Sequence, residues 1–293
     1  MRGLVIESSS SHYKVQVVET IYTCTARGKL KDEDMAPVVG DFVELDVMDK
    51  ENKEGVIGNV IHRKTFIKRP KLANVTQLAL VMSLKNPEPD LLLLDKELAF
   101  AEFSGMHSII VLNKIDLDTR DSCKKIEDIY GKAGYKVYAV DALTGIGIDN
   151  LKYALRNNKN AFSGVSGVGK SSIVNRIVGK EVAIPGAISE KLLRGKNTTT
   201  TTTLHQIGTA TYIADTPGFA SFDVSEIPAE DLDKNFKDIK AWSMNCKYDD
   251  CTHIKELDCG VKKAVEKGAI SKSRYNNYVK IFTELKDKET HKW

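Results

Sequence analysis

The chain has 293 residues, 42% of them hydrophobic and 28% charged, with a formal net charge of +3. This is the composition of a globular protein of two or three domains, and so small a net charge does not by itself announce a nucleic-acid binder. No apolar run approaches the ~20 residues of a membrane span, and the opening MRGLVIESSSSHYK is too poor in apolar residues for a secretory leader. A cytoplasmic protein with no membrane attachment is expected.

Residues 1 to about 66 read as short strands. Tyr13, Val15 and Val17 alternate with Lys14 and Gln16, and Val43, Leu45 and Val47 alternate with Glu44 and Asp46. So short a β unit removes its exposed edges by closing on itself, which predicts a small barrel, OB-like or SH3-like. A basic linker follows, with His62, Arg63, Lys64, Lys68 and Arg69 crowded before the pattern changes at Pro70 and Lys71 just beyond it. A second basic group, Lys262, Lys263, Lys267, Lys272 and Arg274, lies near the C-terminus. Such runs are ordinary on a solvated face and are also the footprint that a phosphate backbone leaves.

Beyond Pro70, strands and helices alternate. Leu78 to Met82 and Ser108 to Leu112 are unbroken apolar runs, as in buried parallel strands. Leu91 to Phe103 has helical spacing, Ile126, Ile129 and Tyr130 suit a helix face, and Val137 to Val140 reads as a third strand. A short helix surrounds Leu151, and Thr203 to Ile207 and Thr211 to Ala214 read as two more strands. The pattern predicts a doubly wound α/β domain with ligands at the carboxyl ends of its strands. From about Pro228 the chain turns helical. Three domains are expected: an all-β OB-like barrel at 1–66, an α/β P-loop domain at 67–224 and a helical metal-binding domain at 225–293.

Gly164-Val165-Ser166-Gly167-Val168-Gly169-Lys170-Ser171-Ser172 fits G-x-x-x-x-G-K-[ST]. The glycines let successive backbone N–H groups converge on phosphate oxygens. Lys170 supplies a compact positive charge, Ser171 a hydroxyl for Mg²⁺, and the helix that follows favours an anion at its N-terminus. Asn113-Lys114-Ile115-Asp116 is an N-K-x-D box. The Asp116 carboxylate can accept from N1–H and the N2 amine of guanine, and adenine would leave it unpaired. Asn113 is expected to brace the pocket and the Lys114 stem to pack on the base. Asp141-Ala142-Leu143-Thr144-Gly145 resembles the S-A-x-x-G box, whose alanine N–H reaches guanine O6, although Asp141 replaces the usual Ser or Thr. Asp215-Thr216-Pro217-Gly218 matches D-x-P-G, with Asp215 toward Mg²⁺ and the Gly218 N–H toward the γ-phosphate. Between these boxes lie Asn197 and the run Thr198 to Thr203. One threonine of this run, taken as Thr199, is expected to close the Mg²⁺ shell when the γ-phosphate is present.

Five cysteines are an odd number, and Cys246, Cys251 and Cys259 fall within fourteen residues, which argues for metal rather than disulfides. Cys24 and Cys123 read as ordinary buried thiols.

The box order is permuted, since N-K-x-D precedes the phosphate loop. That order, with a barrel before it, a Cys/His cluster after it, and Ile188-Ser189-Glu190-Lys191 leading into the threonines, resembles the ribosome small-subunit-dependent GTPase A family of bacteria over nearly the whole chain. The resemblance implies hydrolysis of GTP to GDP with Mg²⁺, and action late in maturation of the small ribosomal subunit with binding to its RNA. It also implies one structural Zn²⁺ on Cys246, Cys251, His253 and Cys259, and a monomer is expected. Lys170, Thr199 and Asn197 are the candidate catalytic residues; Asn197 stands where the family commonly has a histidine, and Phe219 where many GTPases place a water-orienting glutamine. Two rivals remain, a nucleotide-gated RNA-binding module with negligible hydrolysis and an ATPase, the latter disfavoured by N-K-x-D.

Overall fold

The computed structural model describes residues 1–9, 11–30, 35–118, 121–179, 202–215 and 224–291. They fall into two compact units. One comprises Met1–Leu78, Ile148–Ser166 and Lys170–Phe219; the other comprises Ala79–Gly147, Gly167–Gly169 and Ala220–Trp293.

The first unit opens with β1 (Arg2–Ser9), β2 (His12–Val17), β3 (Thr20–Ala26), β4 (Phe42–Asp49) and β5 (Glu54–Val60). They pair in the order β1-β2-β3-β5-β4, and β4 returns to β1, closing a barrel. The β3–β5 pairing is parallel and the others are antiparallel. This is the OB arrangement, so long-range closure decides between the two barrels that periodicity left open. Of the alternating residues read from the sequence, Tyr13, Val15, Val43 and Leu45 are buried inside and Val17 and Val47 partly so, joined by Val5, Cys24 and Ile57.

The expected basic linker is in part a hairpin. β6 (Phe66–Lys68) and β7 (Lys71–Ala73) pair Phe66 with Ala73 and Ile67 with Leu72, burying Ile67 and Leu72 and leaving Lys68 and Lys71 exposed. Arg63 is withdrawn from the basic face. Its Nε and Nη2 each donate at 2.8 Å to the fully buried Asp41, and its guanidinium lies 4.7 Å from the Phe66 ring centroid.

β8 (Gln77–Ser83) is buried along its whole length, as its apolar run predicts. α1 (Leu91–Phe103) starts at Asp90, whose carboxylate accepts from the Leu93 N–H and satisfies one of the helix's unpaired amides. β9 (His107–Asn113), α2 (Ser122–Lys132) and β10 (Lys136–Ala139) follow, with β9 and β10 parallel and the strand order β10-β9-β8.

The chain then returns to the first unit through α3 (Ile148–Ala154), β11 (Lys159–Ser163) and, after the phosphate loop, α4 (Lys170–Val178). β12 (Thr203–Gly208) and β13 (Thr211–Asp215) form an antiparallel pair, β13 lies parallel to β11, and β12 pairs with β1 at Glu7↔Thr203. The barrel and this strand set are thus hydrogen-bonded together through β1.

The second unit ends in α5 (Lys237–Ser243), α6 (Gly260–Glu266) and α7 (Lys272–Thr290). Their apolar faces share a core with Val224, Ile227, Leu232, Phe236 and Ala99 of α1. At its centre Arg274, 1% exposed, donates through Nε and Nη2 to both oxygens of Asp238 at 2.7 and 2.8 Å and through Nη1 to Asp95 at 2.5 Å. Asn277 donates to the other Asp95 oxygen, and the rings of Tyr130, Tyr135 and Phe236 lie 5.1–5.5 Å from the guanidinium. Arg274 therefore does not belong to the basic surface group in which the sequence places it. Among the described residues no helix is long and apolar enough to cross a membrane.

Removing the cation would strand two buried carboxylates. Arg274→Met should lower unfolding free energy by about 3–5 kcal/mol in urea titrations, and a loss below about 1 kcal/mol would mean that the cluster does not hold these helices.

Candidate nucleotide site and metal centre

The phosphate loop leaves β11 at the buried Ser163. Gly164, Gly167 and Gly169 have φ of +143°, +84° and +95°, a region that side chains with a Cβ rarely enter. Lys170 opens α4, whose inner face is Ile173, Val174 and Ile177, as their spacing predicts. The Lys170 ammonium donates to the carbonyls of Gly164 at 2.5 Å and Val165 at 3.1 Å, so it lies over the turn. Ser171 and Ser172 are half-buried in the first turn of α4. β11 and β13 run parallel with Ala161 opposite Ala214, so the phosphate loop and the D-x-P-G box leave neighbouring strand ends. Asn197, Thr199 and Gly218 lie outside the described residues, as does the Asp215 side chain; the Asp215 backbone ends β13.

The base boxes belong to the second unit and meet at one side chain. Asn113, 2% exposed at the end of β9, donates from Nδ2 to the Val168 carbonyl at 2.8 Å and accepts on Oδ1 from the Ala142 N–H at 3.1 Å. One buried amide thus ties together three of the sequence boxes. The approach is close enough to dictate a glycine: a Cβ on Gly169 would stand 2.1 Å from Asn113 Nδ2. The Ala142 N–H, which the sequence reading directs at guanine O6, is engaged by Asn113 in this structure. Asp141 does locally what the Ser or Thr it replaces would do, accepting from the Leu143 N–H at 2.8 Å and the Thr144 hydroxyl at 2.6 Å to close the turn. Lys114 has φ +62° and its ammonium donates to the Asn86 carbonyl, while Asp116 is exposed in the short helix Ile115–Leu117.

The metal centre gathers Cys246, Cys251, His253 and Cys259, whose ligand atoms all lie within 4.8 Å of one another. Cys246 Sγ is 3.8 Å from Cys259 Sγ and 3.4 Å from His253 Nδ1, and Cys259 Sγ is 3.5 Å from that nitrogen. Bonds of ~2.3 Å to sulfur and ~2.0 Å to nitrogen at tetrahedral angles span about 3.5–3.8 Å, so the donor set fits a closed four-coordinate ion. Burial raises all three thiols; at Cys246 the N–H groups of Val261 and Gly260 and the neighbouring Cys259 and Cys251 outweigh it and bring that thiol below its ordinary value, while Cys251 and Cys259 stay above theirs. Gly260 is imposed by packing, since a Cβ there would lie 2.7 Å from Asn245. Burial likewise pushes the Glu256 carboxyl up, yet bonds from the backbone and hydroxyl of Thr252 and from Ile254 N–H bring it down to about 2. Glu256 thereby clamps the loop around His253.

The chain's glycine-rich phosphate loop and guanine-type box, on β strands of an α/β fold and in permuted order, define a P-loop GTPase. The family model described as RsgA GTPase matches residues 60–225 and that described as RsgA N-terminal domain matches residues 2–57. A protein from Alkaliphilus metalliredigens called "Small ribosomal subunit biogenesis GTPase RsgA" is 38% identical over 97% of this chain and 98% of its own length. A protein of the same name from Clostridium botulinum is 38% identical over the full length of both. Among solved structures, YjeQ from Thermotoga maritima is similar with TM-score 0.83 and 37% identity over 97% of this chain and 98% of that one. YloQ, titled a circularly permuted GTPase, has TM-score 0.80 and 30% identity over 98% and 95%. The chain belongs to the RsgA GTPase family, and it is a GTP hydrolase.

Asn113→Ala deletes two buried hydrogen bonds, together worth about 2 kcal/mol. GDP affinity should fall roughly 30-fold in a fluorescent-nucleotide titration of folded protein, and unchanged affinity would remove Asn113 from the site.

Proposed function

We propose that the protein hydrolyses GTP while bound to the small ribosomal subunit during its biogenesis. The observation that carries this reading is 38% identity, over nearly the whole of both chains, to relatives named for that role, beside the likeness to YloQ, titled a circularly permuted GTPase. Ser171, Asp215 and Thr199 would hold Mg²⁺, which when bound neutralises charge on the β- and γ-phosphates. Of these, Ser171 stands at the head of α4, where the loop delivers a hydroxyl. Lys170 would stabilise the charge on the transferred phosphoryl group, and the Gly218 N–H would bond its oxygens. Asn113 and Asp116 would order and read guanine, with Lys114 and Ala142 lining the base. Asn197 would orient the attacking water by hydrogen bonding without shuttling a proton.

Zn²⁺ is the ion proposed for the cysteine–histidine cluster, because three thiolates and an imidazole with no open position suit a structural zinc. The RNA of the subunit would meet the barrel and the basic faces, including the exposed Lys64, Lys68, Arg69 and Lys71 beside β6 and β7. The proposed domain limits are 1–66, 67–224 and 225–293, and the protein is read as a cytoplasmic monomer. The rival in which nucleotide only gates RNA binding draws on Asn197 and Phe219, neither of which can act as a general base near neutral pH.

The deciding experiment compares single-turnover GTP hydrolysis with and without purified small subunits. Subunits should raise the rate at least tenfold, and Lys170→Ala should abolish that gain while the protein stays folded. Tight subunit binding with no change in rate would instead favour the gating module.

A further inference from the structure

His253 has its two ring nitrogens in different environments. Nδ1 faces Cys246 Sγ and Cys259 Sγ at 3.4 and 3.5 Å. Nε2 is buried and has no hydrogen-bond partner among the described residues, yet it lies 3.7 Å from Asp233 Oδ2. A ring that gives Nδ1 to a metal must carry its proton on Nε2, and a buried N–H without an acceptor is costly. The nearby carboxylate lies just outside hydrogen-bond length, so a small rotation of either side chain completes the pair.

Asp233 is held in place independently of the cluster. It starts the short helix Asp233–Asn235, between the fully buried Leu232 and Phe236. Phe236 packs edge-on against Tyr278 with ring centroids 5.5 Å apart, and Tyr278 in turn lies 6.2 Å from the His253 ring. The Tyr275 hydroxyl donates to the His253 carbonyl at 2.7 Å, fixing a backbone with φ +63°. Both the ring and the carboxylate are therefore anchored by the same core. Asp233 precedes Cys246 by thirteen residues and has no place in the C-x4-C-x-H-x5-C spacing, so the motif alone does not reveal it.

We infer that Asp233 is a positioning residue of the metal centre, accepting the His253 Nε2–H so that Nδ1 is presented to the ion. The inference rests on the zinc reading above. It also means that metal loading is felt by the segment from Val224 to Phe236, which follows the D-x-P-G box in the chain. Carboxylate partners of this kind typically strengthen metal binding 10–100-fold.

The test measures zinc transfer from the full-length protein to a colorimetric chelator, alongside the absorption of the Co²⁺-substituted protein. Asp233→Ala should release zinc 10–100-fold faster and weaken the cobalt–thiolate bands at equal Co²⁺, whereas Asp233→Asn, which keeps an acceptor, should stay within about threefold of the parent. Asp231→Ala, removing an exposed partner of Lys234 in the same segment, should change nothing. His253→Cys supplies the control for folding: it keeps four ligands but no ring, so Asp233→Ala should have no effect there. Release from Asp233→Ala at the parent rate would overturn the inference while leaving the zinc reading intact. Equal acceleration in the His253→Cys background would overturn it as well, because Asp233 would then act through folding. Parent protein that binds no metal would overturn both.

Discussion

The buried side-chain amide of Asn113 is the contact on which the loops proposed to read guanine depend. It meets the phosphate loop at Val168 and the D-A-x-x-G turn at Ala142. Each of those loops exposes backbone groups that a nucleotide must find already aimed, and short loops do not hold such geometry unaided. The amide has a donor and an acceptor on one rigid plane, which lets a single residue set the spacing of two neighbours. Gly169 is the counterpart of this constraint, because only a residue without a Cβ lets the loop come so near. The permuted order costs nothing in these terms. What matters is which strand ends carry the loops, and the path of the chain between those ends is free to differ.

A second constraint organises the C-terminal helices. Arg274 with Asp95 and Asp238 is a charged cluster inside an apolar core, where desolvation opposes the mutual attraction of the charges. Burial pushes the Asp95 carboxyl up even against the adjacent guanidinium. Such a cluster tolerates few alternative packings, since any displacement strands a charge. It joins α1 to α5 and α7, so the metal lobe and the base boxes fold as parts of one unit. The cysteine–histidine cluster packs against that same core, with Cys259 inside it and Cys246, Cys251 and Ile254 against its edge.

Much of this was legible in the sequence because it is periodic or local. Alternation marks β2 and β4, unbroken apolar runs mark β8 and β9, and glycine spacing marks the phosphate loop. Other features are settled by partners far away in the chain. β11 carries Asn160 near its start, a poor strand residue by propensity, whose buried side chain bonds to Gln77 and to the carbonyls of Leu155 and Tyr212. β6 and β7 are each three residues long, too short for a period to show. Arg63 and Arg274 read as surface charges because nothing local distinguishes a basic residue in a run from one paired with an aspartate 22 or 36 residues away. Asp141 looked like a departure from its box, yet its carboxylate makes the turn that a hydroxyl would otherwise make.

The central proposal is that Asp116, in a box placed ahead of the phosphate loop in the chain, reads guanine. Equilibrium binding of GTP and XTP to the parent protein and to Asp116→Asn tests it most directly, because xanthine accepts at C2 where guanine donates. The account predicts that Asp116→Asn reverses the preference from GTP to XTP, with the protein still folded. A variant that continues to prefer GTP would contradict it, since Asp116 would then not read the base.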